Sequence, residues 1–144
     1  MITRRLMIGA TLATAASSGL AQERPQATLY KTPDCGCCEG YARYLRRNGI
    51  DVNSVATHDL PLIRRQHRVP ERLEGCHTTL IGNYVIEGHV PIGPVKKLLA
   101  ERPAIRGISL PGMPDGSPGM TGTKKEPFTI FVIDDKGTNI YARE

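Results

Sequence analysis

Three of the chain's four cysteines fall within four residues, Cys35-Gly36-Cys37-Cys38, and the fourth, Cys76, is followed directly by His77. A thiolate can attack a disulfide, be oxidised or hold a soft metal ion, and its neighbours decide which. Cys35 and Cys38 alone form a C-x-x-C pair, the spacing of a redox dithiol in which the first sulfur attacks and the second resolves. A purely structural disulfide is another use of the same pair. Neither use needs Cys37. Three thiols in four residues suit sulfurs that bridge soft metal ions, and Cys76 offers a further ligand of the same kind.

The donor set selects the metal. Hard cations take oxygen ligands, and this set is sulfur. Structural zinc is usually held by two separated cysteine pairs, so a cluster of three plus one distant cysteine is lopsided for it. Cu(I) suits soft thiolate ligands, and the four negative charges of four thiolates are neutralised by four Cu(I) ions. Cys35, Cys37, Cys38 and Cys76 are the candidate metal ligands, with His77 as an imidazole donor beside them. Imidazole also accepts Cu(II), so a mixed site can support electron transfer.

The methionines point the same way. Met1 and Met7 lie in the first segment; Met113 and Met120 each end a Pro-Gly-Met tripeptide in one Gly/Pro stretch. Methionine ordinarily fills gaps in a core. Two in a polar loop are candidate thioether ligands for Cu(I) or Ag(I), and the expectation is a loop over residues 111–127 that closes over the thiols as a lid. His89, at the turn into a third helix, is placed to face the same end of the sheet, whereas His58 and His67 read as surface or helix-face residues. No H-E-x-x-H, Gly-rich phosphate loop or Ser-His-Asp spacing is present in the sequence.

These residues need a scaffold, and 144 residues with 40% hydrophobic and 23% charged side chains build one domain rather than a disordered chain. With no Trp, the core must come mainly from Val, Ile, Leu and Ala. A strand over residues 27–31 leads to a helix for which Thr32-Pro33-Asp34 offers the N-cap. Cys38, Tyr41, Ala42 and Leu45 share one helix face, and Gly49 lies just past its end. Next come a strand over 50–56 and a short helix opened by Pro61, with Leu60, Ile63 and His67 on one side. Strands 78–81 and 84–87 flank the hairpin signal Gly82-Asn83. A helix over 94–102, the long loop and a hairpin of strands 128–133 and 138–142 around Asp135-Lys136-Gly137 complete the chain.

The order β-α-β-α-β-β-α plus a C-terminal β-hairpin is that of an α/β, thioredoxin-like domain. It puts the cysteine cluster at a strand–helix junction, where the helix N-terminus stabilises thiolates. In such domains a cis-proline before the third strand faces the C-x-x-C pair. Here Cys76-His77-Thr78 stands in that region, and the nearest preceding proline is Pro70.

Arg4 and Arg5, an apolar run over residues 6–16 and the small residues leading to Gly19-Leu20-Ala21 have the layout of a signal peptide over 1–21, leaving a single domain over 22–144. The paired arginines also resemble a twin-arginine signal. The apolar run is too short to span a bilayer, so no stable membrane insertion is expected. Losing the two charges of Arg4 and Arg5 takes the net charge from +5 to +3. The remaining Lys and Arg are scattered, and no nucleic-acid partner is expected.

Four stretches together resemble a known family: residues 32–38 around the cysteine cluster, Gly75-Cys76-His77-Thr78, Glu87-Gly88-His89-Val90-Pro91, and residues 111–120 with both Pro-Gly-Met tripeptides. They look like the CopG type of periplasmic, thioredoxin-like metal-binding proteins found with copper- and silver-resistance determinants. The resemblance covers essentially the whole chain after residue 21. It implies copper binding through Cys35, Cys37, Cys38 and Cys76, and an activity interconverting Cu(I) and Cu(II). Ile92-Gly93-Pro94 departs from the acidic, helix-friendly start expected after Val90-Pro91.

The sequence thus reads as an exported copper-handling protein whose partners are copper or silver ions and another periplasmic copper protein or redox donor. The alternative is a periplasmic thiol–disulfide oxidoreductase using Cys35 and Cys38. Storage, transfer and catalysis need the same ligands and are not separated by the sequence. Protein recovered from the periplasm is predicted to begin near Gln22 by mass spectrometry; an intact Met1 there contradicts the export reading.

Overall fold

The computed structural model describes residues 23–136 and 139–144. The signal-peptide segment lies outside them, as do Gly137 and Thr138 of the expected C-terminal hairpin. Seven strands form one mixed sheet: β1 (Gln26–Lys31), β2 (Asp51–Ala56), β3 (His77–Ile81), β4 (Tyr84–Gly88), β5 (Gly107–Leu110), β6 (Thr129–Ile133) and β7 (Ile140–Arg143). Their spatial order is β2-β1-β3-β4-β5-β6-β7. The helices are α1 (Gly36–Arg47), α2 (Leu60–Gln66) and α3 (Ile92–Glu101), with a 3-10 turn over Glu71–Leu73. The expected α/β order β-α-β-α-β-β-α is present, and β1 pairs parallel with β2 and antiparallel with β3.

The main core lies between the sheet and the apolar faces of α1 and α3. Cys38, Tyr41, Ala42 and Leu45 of α1 meet Leu29, Ile86, Ile108 and Ile130 of the strands and Val95 and Leu98 of α3. Neighbours along a strand point to opposite faces. Val85 accordingly joins a smaller cluster with Val69, Leu73 and Ile133, so the segment after α2 covers the other face. The Ser109 hydroxyl donates to Leu73 O at 2.6 Å and ties that segment to the sheet.

Four local expectations are corrected. First, α1 is capped at Cys35, with no side-chain cap bond, rather than within residues 32–34; the Cys35 amide closes a turn onto Thr32 O at 3.2 Å. Second, α2 buries Leu60 and Arg64 rather than Ile63 and His67, because the Arg64 guanidinium finds a carboxylate inside the protein. Third, α3 begins at Ile92, since a proline within the first turn costs no intrahelical hydrogen bond and Pro94 sits there. Fourth, β5 occupies a stretch to which the sequence reading assigned no element. Its four residues are all buried between β4 and β6, so they lack the polar alternation that marks a half-exposed strand.

The loop after β5 folds into tight turns, with Ser117 N–H donating to Pro114 O at 3.1 Å and Met120 N–H to Ser117 O at 2.9 Å. It docks on α1 backbone to backbone. Gly119, at φ +83°, leaves no room for a side chain, because a Cβ there lies 2.7 Å from Gly40 C and 2.9 Å from Tyr41 Cα. Gly119→Ala is predicted to cost about 1–3 kcal/mol through strain and overpacking. The expected reading is a lower urea midpoint at unchanged slope.

Candidate metal centre

The cysteines come together through one strand pairing. β1 runs antiparallel to β3 with Lys31 opposite His77, so Cys76, one residue before β3, lies at the end of the sheet where β1 hands over to α1. Cys35 caps that helix, and Cys37 and Cys38 occupy its first turn. The four Sγ atoms lie within 4.8 Å of one another. Cys35 and Cys38 are joined in a disulfide, and Cys37 and Cys76 are free thiols. Sulfur–sulfur distances are 3.6 Å for Cys35–Cys37, 3.8 Å for Cys37–Cys76 and 3.6 Å for Cys38–Cys76. Cys38 is fully buried and the other three are half-buried, so the cluster is accessible from one side.

Two imidazoles complete the far side. Cys76 Sγ lies 3.3 Å from His77 Nδ1 and 3.0 Å from His89 Nε2, and these three groups form a second set able to hold a metal ion. Both rings are fully buried. His89 Nδ1 lies 2.6 Å from Pro118 O. A carbonyl can only accept, so Nδ1 carries the proton and Nε2 presents its lone pair to the sulfur. Ligating histidines are commonly oriented in this way. Pro118 belongs to the methionine loop, so the loop reaches the site through its backbone. His77 Nε2 is buried with no hydrogen-bond partner among the described residues. Tyr41 packs against both rings, with centroids 4.7 Å from His77 and 5.4 Å from His89, and its hydroxyl donates to Val90 O at 2.8 Å.

Burial favours the neutral forms of Cys76, His77 and His89. The Cys76 thiol is pushed up to about 12, first by burial and then by Cys37. His77 is shifted well below its ordinary 6.5 by burial, then by His89 and Arg64; burial also lowers His89. A bound cation reverses this preference at the thiol, whose proton coordination displaces, and finds the imidazoles already in the neutral form it needs.

The structure brings Cys35, Cys37, Cys38 and Cys76 together and places both His77 and His89 against Cys76. The signal for His89 is positional: β3 and β4 pair antiparallel with Thr78 opposite Glu87, so Cys76, two residues before Thr78, and His89, two residues after Glu87, arrive at the same end of the sheet. Met113 is 43% exposed and Met120 half-buried, while the loop's anchors at the site are Pro118 and Gly119.

Comparison with known proteins adds two findings. Residues 73–120 match a family described as a protein of unknown function, DUF411. Two solved structures described as copper resistance protein CopG, in form 2 and form 1, are each 31% identical to the chain. The alignments cover 85% of this chain and 99% and 98% of theirs, with TM-scores of 0.78 and 0.77. No curated protein matches the chain.

The buried imidazoles make stability depend on pH. The unfolded chain takes up a proton at His77 near 6.5, where the folded protein refuses it, so stability is present above that value and is lost as pH falls below it. Glu87, raised from 4.5 chiefly by burial, acts in the opposite sense, with its contribution lost as pH rises through its folded value. A variant comparison separates the two. For reduced, metal-free protein, the fall in urea midpoint between about pH 7.5 and 5.5 is predicted to be shallower in His77→Phe than in the parent; equal slopes contradict this.

Proposed function

The chain belongs to the CopG family of copper resistance proteins, and on that footing we propose that it binds copper as Cu(I) through Cys35, Cys37, Cys38 and Cys76. The observation that carries this reading is the meeting of four sulfurs within 4.8 Å of one another at the start of a helix. Two electrons and two protons open the Cys35–Cys38 bond to two thiols, and each thiol that becomes a ligand then releases its proton. Four thiolates balance four Cu(I), so a small copper–thiolate cluster needs no additional charged ligand. His77 and His89 supply nitrogen donors acceptable to both oxidation states, and the thioethers of Met113 and Met120 would tune affinity or exchange. Silver(I), equally soft, suits the same ligands.

The same residues support a change of oxidation state. Two Cu(II) ions accept one electron each as the Cys35 and Cys38 thiols close to a disulfide and release two protons. An exported redox donor or copper protein is the partner such a cycle needs. The setting proposed is the periplasm. Among the described residues no helix is long and apolar enough to cross a membrane. The Cys35–Cys38 disulfide at a helix N-terminus also favours a second reading, a thiol–disulfide oxidoreductase in which Cys35 attacks and Cys38 resolves.

One set of measurements separates them. Metal-free reduced protein is predicted to be inert in insulin reduction and to retain Cu(I) against a competing chelator. Cys37→Ser should weaken retention far more than Met113→Leu combined with Met120→Leu, a volume-conserving change costing less than about 1.5 kcal/mol in stability. Rapid insulin turnover with poor copper retention favours the oxidoreductase. Copper exchange identical to the parent in the double methionine variant makes the methionines packing residues only and removes the lid role.

A further inference from the structure

Behind the sulfur site lies an ion pair that the copper reading does not use. Glu87 of β4 is fully buried and Arg64 of α2 is 8% exposed. Glu87 Oε1 accepts from Arg64 Nε at 3.0 Å and from the Gly75 amide at 2.8 Å, while Oε2 accepts from the Thr78 hydroxyl at 2.7 Å. Arg64 Nη2 donates to Gly75 O at 2.6 Å, and Nη1 pairs with Glu74 at 3.2 Å. Both backbone polar groups of Gly75 are thus held by side chains, just beyond the point where the β1–β3 ladder ends at His77. Gly75 is also pressed onto β4, since a Cβ there meets Gly88 Cα at 2.7 Å.

The next residue is Cys76. The Gly75 carbonyl shares one rigid peptide plane with the Cys76 nitrogen and Cα, so the arginine that grips this carbonyl also sets the plane from which Cys76 hangs. Cys76 Sγ has two sulfurs and two ring nitrogens within 3.0 to 3.8 Å, and a small rotation of that plane alters all four distances. Stability is a weak reason for such a pair, because apolar replacements of buried ion pairs are often neutral or stabilising.

We propose that Arg64 and Glu87 are positioning residues that clamp the Gly75–Cys76 peptide and so aim the Cys76 sulfur into the metal centre. For its functional consequence the proposal rests on the copper reading. A lysine cannot serve Gly75 O, Glu74 and Glu87 together, because it lacks the planar fork. Arg64→Lys therefore keeps the charge and loses the clamp. Glu87→Gln keeps the shape and removes the buried carboxylate, leaving half-exposed Glu74 as the charge partner of the guanidinium, and it answers the same question should the first variant not fold.

The test has two arms. In reduced, metal-free protein, alkylation mapped by mass spectrometry should speed up at Cys76 in either variant while Cys37 keeps its parental rate. Unchanged Cys76 reactivity, or an equal rise at both cysteines, overturns the proposal, since the latter marks general loosening. With Cu(I) and a competing chelator, either variant should bind about 10–100-fold more weakly, the usual cost of losing a partner that orients a ligand. Introduced into Cys76→Ser, the same change should cost almost nothing further; a full additional loss overturns the proposal. If the parent itself does not hold Cu(I), the copper reading falls, and the alkylation arm alone decides whether the clamp positions Cys76.

Discussion

The antiparallel register between β1 and β3 is the constraint on which the sulfur site depends. Lys31 stands opposite His77, so the residue before β3 arrives where β1 gives way to α1. A slip of one residue would turn the side chains of β3 to the opposite face and move Cys76 along the helix start. The register is secured from both sides, because β3 also pairs with β4 and the next connection, Gly82-Asn83, is only two residues long. Residues 39 positions apart in sequence, Cys37 and Cys76, thereby come within 3.8 Å.

Around this meeting point the protein buries groups that could carry charge and keeps them neutral. Burial disfavours the Cys76 thiolate and the His77 imidazolium alike, and each takes its uncharged form next to the other. Such a site is poorly suited to holding a second proton on an imidazole or a bare charge on sulfur. It is well suited to a soft cation, which replaces the thiol proton and meets imidazoles already deprotonated. The His89 tautomer, set by Pro118 O, presents a ring nitrogen ready to donate its lone pair.

The loop after β5 meets α1 and His89 through its backbone. Gly119 sits against Gly40 and Tyr41 at a separation that no other residue tolerates, and Pro118 reaches His89. A segment rich in glycine and proline can approach a helix this closely because it carries little side-chain bulk and its turns satisfy their own polar groups. Its ends are held by β5 and β6, so the contact with α1 connects these two strands to the sulfur end of the sheet.

Local pattern in the sequence determined the element order through α3 and the C-terminal pair of strands, the apolar face of α1, the Gly82-Asn83 hairpin and the cysteine cluster at a strand–helix junction. Each of these depends on residues within a few positions of one another: alternation, helical spacing, turn chemistry, adjacent thiols. Tertiary structure decided the rest. β5 exists because β4 and β6 flank it, and its four buried residues carry no periodic signature. Arg64 turns inward because Glu87, 23 residues away, offers a buried carboxylate. His89, which the sequence places at this end of the sheet, gains its contact with Cys76 and its tautomer from the β3–β4 pairing and from Pro118, while Met113 stays exposed. These outcomes depend on partners distant in sequence, and hydrophobic periodicity carries no information about which distant partner a residue will meet.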